Sequence, residues 1–384
     1  MRDPRLDKLA DVLVNYSTKV KPGELVAVAA EPLAMPFIEA VTVAVLKAGG
    51  HPFWVPRSEA ITELLLRHAS EEQLRYVSPI NMDIVEKIDV QIAAWSEINT
   101  RYMSRFDPAR AALLQAARKP VFKRLMERSA KGELRWCGTA YPTNGAAQDA
   151  EMSLTDFADF VFRAGLLHTE NPAEQWQKIH DRQERVREYL QSKKSVRFRV
   201  PPAGDNDGTD LTVSVDGSTW INCSGQSNFP DGEVFAGPRG VDGHVNYTFP
   251  AVYHGREVLG VRLAFKGGKV VDAAADKGED YLIKMLDQDA GARMLGEIAI
   301  GTNYAIKEFS RNTLFDEKIG GTFHAACGAG YPESGNSNES GLHWDMVCDL
   351  RQNAKAGLPG GTIEADGEVF HRNGRFERAG WPAE

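Results

Sequence analysis

A strand–helix–strand pattern near the start of the chain constrains the fold more than any other feature of the sequence. The run from Leu25 to Ala30 is continuously apolar, which is typical of a strand buried on both faces. Helical spacing follows from Met35 to Ala48, Gly49-Gly50 ends that helix, and a second strand is predicted from Pro52 to Val55. Two strands joined by a helix form a right-handed βαβ unit, so the first half of the chain is predicted to hold a parallel sheet.

The pattern of elements changes in the second half of the chain. Further helices are predicted over 59–77, 108–128, 153–165 and 171–194, and strands over 89–95 and 133–137. Short β patterns, separated by Gly, Asp and Asn, are then predicted over 197–200, 210–215, 245–252, 258–264 and 269–274, with one helix over 278–292. We therefore predict an α/β domain with a parallel sheet over 1–190 and an α+β catalytic domain over 191–384. The second domain is expected to be rich in antiparallel strands and to carry any metal site.

Composition argues against several classes of function. The chain has a net charge of -8 and no Lys/Arg-rich run, so no nucleic-acid partner is predicted. The first strand is followed by Ala30-Glu31-Pro32 rather than a glycine-rich loop, so no nucleotide is predicted. The four cysteines form no CxxC motif, which fits a reducing compartment. No run reaches the roughly 20 apolar residues of a membrane helix, and no signal peptide is recognised, so we expect a cytoplasmic protein without a membrane partner.

The segment from His324 to Asp349 concentrates residues that bind metals. If Gly341 to Cys348 is a strand, side chains alternate between its faces, so His343 and Asp345 point the same way and Trp344 points into the packing. An imidazole and a carboxylate that converge in this way are suited to a divalent metal ion. The alternative is a polar loop followed by a strand with a hydrogen-bonded His–Asp pair.

Three glutamates upstream are further candidates. Glu297 is the only charge in the apolar run from Met294 to Gly301, and a buried carboxylate is costly unless it is paired or binds a cation. Glu233 follows a Pro-Asp-Gly turn, where a surface carboxylate is the alternative. Glu317 lies seven residues before His324, and a solvated charge cluster is its alternative.

Together these candidates comprise four carboxylates and two imidazoles, which are Glu233, Glu297, Glu317, His324, His343 and Asp345. This set is too large for one tetrahedral zinc ion, but it is suited to two divalent ions with a bridging carboxylate. Such a pair of ions activates a shared water, so the natural reaction is hydrolysis of an amide or ester.

The same segments resemble the thermophilic aminopeptidase family of metallopeptidases. The matching pieces in the second half are NFPDGEVF, GEIAIGTN, LFDEKIGGTFHAACGAGYPE, GLHWDMVCDL and ADGEVFHRNGRF. In the first half they are LVNYSTKVKPGELVAV, LKAGGHPFWV and YPTNGAAQDAEMSL. The resemblance covers essentially the whole chain, with acidic, His and Tyr positions that recur together and in order.

The resemblance implies removal of N-terminal residues from short peptides by a water that two metal ions activate. It implies zinc, cobalt or magnesium as the metal, and a homodimer that encloses its active sites. The metal ligands carried over are Glu233, Glu297, His324, His343 and Asp345, with Glu297 as the bridging carboxylate. Glu317 is carried over as a ligand or as a base, and either Glu317 or Glu297 would shuttle the proton to the leaving amine. Tyr331 matches the family's site tyrosine, whose hydroxyl would donate to the oxyanion.

Two other functions are compatible with parts of this pattern. A mononuclear Fe(II) ring-cleaving dioxygenase of the dihydroxypyridine type would need only His324, His343 and Asp345. Glu233 and Glu297 argue against it, because a single-iron site does not need them. A binding protein that kept the fold and lost the chemistry is the third hypothesis. Oxygen consumption would identify the dioxygenase, and a binding protein would show neither activity.

Overall fold

The structure, a computed structural model, describes residues 3–204, 206–253, 255–353 and 357–383. The chain forms two compact units. The first unit comprises Met1–Ala173 and Gly225–Pro230, and the second comprises Glu174–Ser224 and Asp231–Glu384.

The helices and strands of the described residues are as follows. The helices are α1 (Arg5–Asp11), α2 (Met35–Lys47), α3 (Glu59–His68), α4 (Glu71–Arg75), α5 (Pro79–Lys87), α6 (Pro108–Ala130), α7 (Asn144–Asp149), α8 (Leu154–Ala164), α9 (Pro172–Gln191), α10 (Glu279–Leu286) and α11 (Thr313–Asp316). The strands are β1 (Leu25–Ala30), β2 (His51–Pro56), β3 (Val90–Trp95), β4 (Arg135–Ala140), β5 (Ser195–Val200), β6 (Thr209–Ser214), β7 (Ile221–Cys223), β8 (Asn228–Phe229), β9 (Glu233–Ala236), β10 (Gly240–Asn246), β11 (Ala251–Tyr253), β12 (Arg256–Val258), β13 (Arg262–Lys266), β14 (Lys269–Ala274), β15 (Leu295–Gly301), β16 (Thr322–Gly328), β17 (His343–Asp349), β18 (Gln352–Asn353), β19 (Leu358–Pro359), β20 (Thr362–Ala365), β21 (Glu368–Arg372) and β22 (Arg375–Phe376). A π-helical segment, Val12–Ser17, extends α1, and short 3-10 turns form at Pro32–Ala34 and Pro332–Ser334.

The first unit is built on a parallel sheet, as its sequence predicts. The strand order is β2-β1-β3-β4-β8, and every neighbouring pair is parallel. Residues Val26 to Ala30 of β1 are buried, because helices cover the faces of parallel sheets and leave their central strands without a solvent face. β2, at the sheet edge, is more exposed.

The second unit is a sandwich of two antiparallel sheets. One has the order β14-β13-β10-β6-β5-β20-β21-β22, and the other has the order β17-β16-β15-β9-β7. Their facing side chains form one hydrophobic core, in which the rings of Phe198 on β5 and Phe323 on β16 stack with centroids 4.4 Å apart. The predicted antiparallel, strand-rich second half is therefore confirmed.

The boundary between the two compact units differs from the predicted domain boundary at residue 190. Helix α9 lies almost wholly in the second unit, where Val186 and Leu190 are fully buried in the core. Its apolar stripe packs with the strands that follow, so the unit begins within the first turn of the helix and not after it. As folding domains, 1–190 and 191–384 stay a prediction.

Two predicted strands are each divided in the structure. The strand predicted over 245–252 is interrupted between Asn246 and Ala251, where Pro250 has no N–H for a ladder. The strand predicted over 258–264 is interrupted at Gly260, whose φ of 62° turns the chain between β12 and β13. The helix predicted over 278–292 ends at Leu286. Among the described residues, no helix combines the length and apolar character needed to cross a membrane.

Candidate metal centre

The candidate residues project from one face of the five-stranded sheet. In β16, Phe323 and Ala325 belong to the sandwich core, so His324 between them projects from the opposite face. The same alternation applies to Glu297 beside the core residue Ile298 on β15. In β9 and β17, the core residues Val234 and Trp344 likewise direct Glu233, His343 and Asp345 to the opposite face.

The strand register then brings these side chains together. Glu297 lies opposite Ala326, which in turn lies opposite Asp345, and Gly301 of β15 lies opposite Glu233. The predicted orientation of His343, Trp344 and Asp345 is the one found, with Trp344 only 1% exposed.

His324 lies at the centre of the cluster. Its Nε2 is 3.1 Å from Oε1 of Glu297, 3.5 Å from Oε2 of Glu233 and 3.9 Å from Oδ1 of Asp345. Nε2 of His343 lies 3.4 Å from Oδ1 of Asp345 and 3.8 Å from Oε2 of Glu297. His324 is fully buried, and the side chain of His343 is 26% exposed, so one side of the cluster is accessible.

Backbone carbonyls fix the orientation of both imidazoles. Nδ1 of His324 donates to the carbonyl of Glu317 at 3.0 Å, and Nδ1 of His343 donates to the carbonyl of Ala329 at 2.9 Å. Because a carbonyl only accepts, Nδ1 carries the proton in each ring and Nε2 points into the cluster. Metal-binding histidines are held in this way in many proteins.

The donor set fits divalent cations. Glu233, Glu297 and His324 each offer a ligand atom within 4.8 Å of the others, and so do Glu317, His324 and Asp345. Oε2 of Glu233 and Oδ1 of Asp345 are buried without a hydrogen-bond partner, which is costly unless a cation binds them. His343 belongs to neither group of three, but its Nε2 faces Asp345 and Glu297 at the distances given above.

The charge of the carboxylates governs the titration of both histidines. Burial acts to lower the pKa of His324, but the hydrogen bond with Glu297 and the charges of Glu233 and Asp345 outweigh burial and raise this pKa to about 9. Burial likewise opposes protonation of His343, yet Asp345 and Glu297 raise its pKa to about 10. The cluster therefore favours positive charge where both imidazoles point, and a divalent cation supplies such charge.

Glu317 and Lys318 also belong to the cluster around His324. Nζ of Lys318 donates to Oε1 of Glu233 at 3.0 Å and to Oε1 of Glu317, and it lies 3.9 Å from Oδ1 of Asp231. Lys318 is fully buried, and the side chain of Glu317 is 14% exposed. Burial raises the pKa of Glu317 to about 8, although the charge of Lys318 opposes that rise. The alternative of a solvated charge cluster at Glu317 is therefore wrong.

Sequence reasoning missed Lys318 and Asp231. Both are buried and charged, and both lie at the cluster. The signal was available in LFDEKIGG, where Asp316, Glu317 and Lys318 stand between apolar residues on both sides. Asp316 is also buried and accepts hydrogen bonds from the backbone N–H and the hydroxyl of Ser310.

Tyr331 lies at the accessible side of the cluster. Its ring packs edge-on against His343, with centroids 5.2 Å apart, and against Phe235 at 5.7 Å. Burial raises the pKa of Tyr331, and the charges of Glu297 and Asp345 raise it further, so the hydroxyl stays protonated and able to donate.

A bulge in β15 sets the position of Glu297. The pairing of β15 with β16 shifts register between Leu295 and Glu297. A Cβ at Gly296, between them, would lie 2.2 Å from the carbonyl oxygen of Ala329, so this close approach of two backbones requires glycine.

The chain is similar to known proteins along most of its length. The family model described as thermophilic metalloprotease (M29) matches residues 2–376. Aminopeptidase 2 of Geobacillus stearothermophilus is 28% identical, over 97% of this chain and 98% of the relative. Aminopeptidase T of Thermus thermophilus is 26% identical, over 88% of this chain and 87% of the relative.

A solved structure shares the fold. The structure described as wild-type AmpT from Thermus thermophilus superimposes with a TM-score of 0.83 at 23% identity, and the match covers 98% of this chain and 99% of the other.

Proposed function

The chain belongs to the thermophilic metalloprotease family M29 and is a metallo-aminopeptidase, and on that premise we propose that it uses two divalent ions to remove N-terminal residues from short peptides. The observation that carries the two-ion part of the proposal is the pair of buried, unpartnered carboxylate oxygens on Glu233 and Asp345. These oxygens lie 3.5 and 3.9 Å from Nε2 of His324, respectively.

The ions would be held by the strand residues of the sheet. In this proposal the ligands are Glu233, Glu297, His324, His343 and Asp345. Glu297 would be the ligand common to both ions, because its Oε1 faces His324 and its Oε2 faces His343. Zinc, cobalt and magnesium are the candidate metals, since mixed imidazole and carboxylate ligands accept all three.

The ions would supply Lewis acidity, which lowers the pKa of a water and polarises the peptide carbonyl. The residues of the chain then orient the substrate and move protons. The Tyr331 hydroxyl donates a hydrogen bond to the carbonyl oxygen as negative charge develops on it. Glu317, whose pKa is raised to about 8, or Glu297 takes a proton from the attacking water and delivers it to the leaving amine.

The remaining expectations are part of the same proposal. The free amino terminus of the substrate would be held by a metal ion or by a carboxylate of the cluster. A homodimer that encloses the site would restrict access to short peptides, and a cytoplasmic location would supply such peptides. Sedimentation of the purified protein measures the oligomeric state.

The dioxygenase alternative is not favoured. Membership of a metallopeptidase family opposes it. In addition, Glu233 and Glu297 lie against His324, and a single-iron site with two histidines and one carboxylate does not need them.

Metal content and peptide hydrolysis test the proposal together. We expect close to two zinc, cobalt or magnesium ions per chain and chelator-sensitive release of amino acids from dipeptides and tripeptides. The same peptides with an acetylated amino terminus are the control, and they should resist cleavage. One iron per chain, oxygen consumption and no peptide cleavage would overturn the proposal.

Removal of one ligand tests the residue assignment. His343→Ala removes the imidazole that faces Glu297 and Asp345, so metal occupancy and activity should be lost together. His68→Ala, which makes the same change at an exposed position in α3, is the control. A fully active His343→Ala protein would refute the assignment.

A further inference from the structure

Lys318 is a buried cation at the cluster to which the proposed function gives no role. A fully buried lysine is rare, because removing an ammonium from water is costly unless anionic partners surround it. Here the partners are Glu233, Glu317 and Asp231. Nζ lies 3.0 Å from Oε1 of Glu233 and 3.9 Å from Oδ1 of Asp231, so anionic groups surround the buried ammonium.

The two carboxylate oxygens of Glu233 have different surroundings. Nζ of Lys318 donates a hydrogen bond to Oε1 of Glu233 at 3.0 Å. Oε2 of Glu233 has no hydrogen-bond partner and lies 3.5 Å from Nε2 of His324. The ammonium therefore fixes the rotation of the carboxylate about its terminal bond. One oxygen is directed to the lysine and the other to the place where the imidazole points.

The charge balance of the cluster is a second argument for a role of Lys318. The carboxylates at the cluster are Asp231, Glu233, Glu297, Glu317 and Asp345. When all five carboxylates are ionised, two divalent ions would neutralise four of the charges, and Lys318 would neutralise the fifth. Without the ammonium, a buried site that already holds two ions would keep an uncompensated negative charge.

We infer that Lys318 is a positioning residue of the metal centre, whose ammonium holds Glu233 and Glu317 so that Glu233 offers a single oxygen to the metal. This inference rests on the proposed function. Outer partners that orient ligands in this way typically change metal affinity by about 10- to 100-fold.

Lys318→Met tests the inference, because it removes the charge and keeps an unbranched chain of similar length. The protein is stripped of metal and titrated with Co²⁺, whose visible absorption reports its coordination number. We expect one of the two ions to bind about 10- to 100-fold more weakly. The absorption should also weaken, because Glu233 can then bind the ion through both oxygens. Lys123→Met, at a lysine side chain that is 80% exposed, is the matched control and should leave both unchanged.

A second variant covers the outcome in which Lys318→Met does not fold. Glu317→Gln with Lys318→Met removes one negative and one positive charge together, so the net charge of the cluster is kept. Compared with Glu317→Gln alone, this double variant should still show the weakened Co²⁺ site and the altered absorption.

The outcomes separate this inference from the proposed function. If Lys318→Met binds Co²⁺ with the affinity and absorption of the wild type, the role of Lys318 is overturned and the proposed function still stands. The same conclusion follows if the double variant does not differ from Glu317→Gln in these two quantities. Failure of the wild-type protein to bind two Co²⁺ ions would overturn the proposed function itself.

Discussion

At the scale of single residues, the candidate site depends on which atom each side chain presents. Both histidines donate from Nδ1 to a backbone carbonyl and present Nε2 to the carboxylates. The alternation around Trp344 made the common direction of His343 and Asp345 predictable from sequence. The carbonyl partners were not predictable, because Glu317 and Ala329 lie in loops whose path depends on the folded sheet. Lys318 was missed because adjacent charges usually indicate a solvated segment.

Tyr331 is expected to act on the rate and not on metal binding. In Tyr331→Phe the ring still packs against His343 and Phe235, and only the hydroxyl is lost. Removal of one oxyanion donor typically lowers kcat by about 100- to 1000-fold, so kcat should fall while metal content and KM change little. Steady-state kinetics and elemental analysis measure the two effects.

The control for this prediction is Tyr76→Phe, at a tyrosine that is 69% exposed in the first unit. Loss of metal from Tyr331→Phe, or an unchanged kcat, would contradict the oxyanion role.

At the scale of elements, strands and not loops carry the proposed ligands. Glu233, Glu297, His324, His343 and Asp345 lie on four strands of one sheet, so ladder hydrogen bonds fix their spacing. Apolar runs made β15 and β16 visible in the sequence. The bulge at Gly296 was not visible, since a glycine in a strand pattern specifies neither the bulge nor the partner backbone.

Gly296→Ala is expected to disturb the bulge and the position of Glu297. The new Cβ would lie 2.2 Å from the carbonyl oxygen of Ala329 and 2.6 Å from that of Gly328, and backbone atoms cannot move aside cheaply. Overpacking of this kind costs about 1–3 kcal/mol, and it should weaken metal binding as well. Urea unfolding and Co²⁺ titration measure both effects.

Gly240→Ala makes the same change in β10, where the nearest atom to the new Cβ is 3.9 Å away. Its stability and metal affinity should match the wild type. If Gly296→Ala behaved like this control, the bulge would have no role in the site.

His371, on strand β21, is expected to make the stability of the folded protein sensitive to acid. Burial lowers the pKa of this histidine to about 3 in the folded protein, against an ordinary value of 6.5. The unfolded chain therefore binds a proton at His371 first as the pH falls. This contribution to stability is complete above pH 6.5 and declines towards pH 3 by at most about 1.4 kcal/mol per pH unit.

The comparison of wild type with His371→Phe isolates this contribution. The free energy of unfolding, measured in urea from pH 7 to pH 4, should fall more steeply for the wild type. Equal slopes for the two proteins would show that His371 does not titrate in this way.

At the scale of the whole molecule, the two units differ in what the sequence reveals. The parallel sheet of the first unit was predictable, because continuous apolar runs and glycine stops mark its βαβ unit. The return of Gly225–Pro230 to that unit was not, because β8 is two residues long and has no periodicity. The place of α9 in the second compact unit was not predictable for a similar reason, because an amphipathic stripe does not specify its partner.

Metal binding is expected to stabilise the units unequally, since all the proposed ligands lie in the second unit. An ion at 100 times its dissociation constant stabilises the state that binds it by about 2.7 kcal/mol. Hydrogen exchange with and without Co²⁺ should therefore show added protection in β9, β15, β16 and β17. Strands β1 to β4 serve as the internal control, and equal protection in both units would contradict this expectation.

The wide spacing of the ligands along the chain has a consequence for biosynthesis. Glu233 leaves the ribosome more than a hundred residues before Asp345. Until β17 has emerged and paired with β16, a nascent chain lacks His343 and Asp345 and has only part of the metal centre. In this proposal a partly synthesised chain would stay inactive until β17 has paired, so hydrolysis would begin only when the second unit has folded.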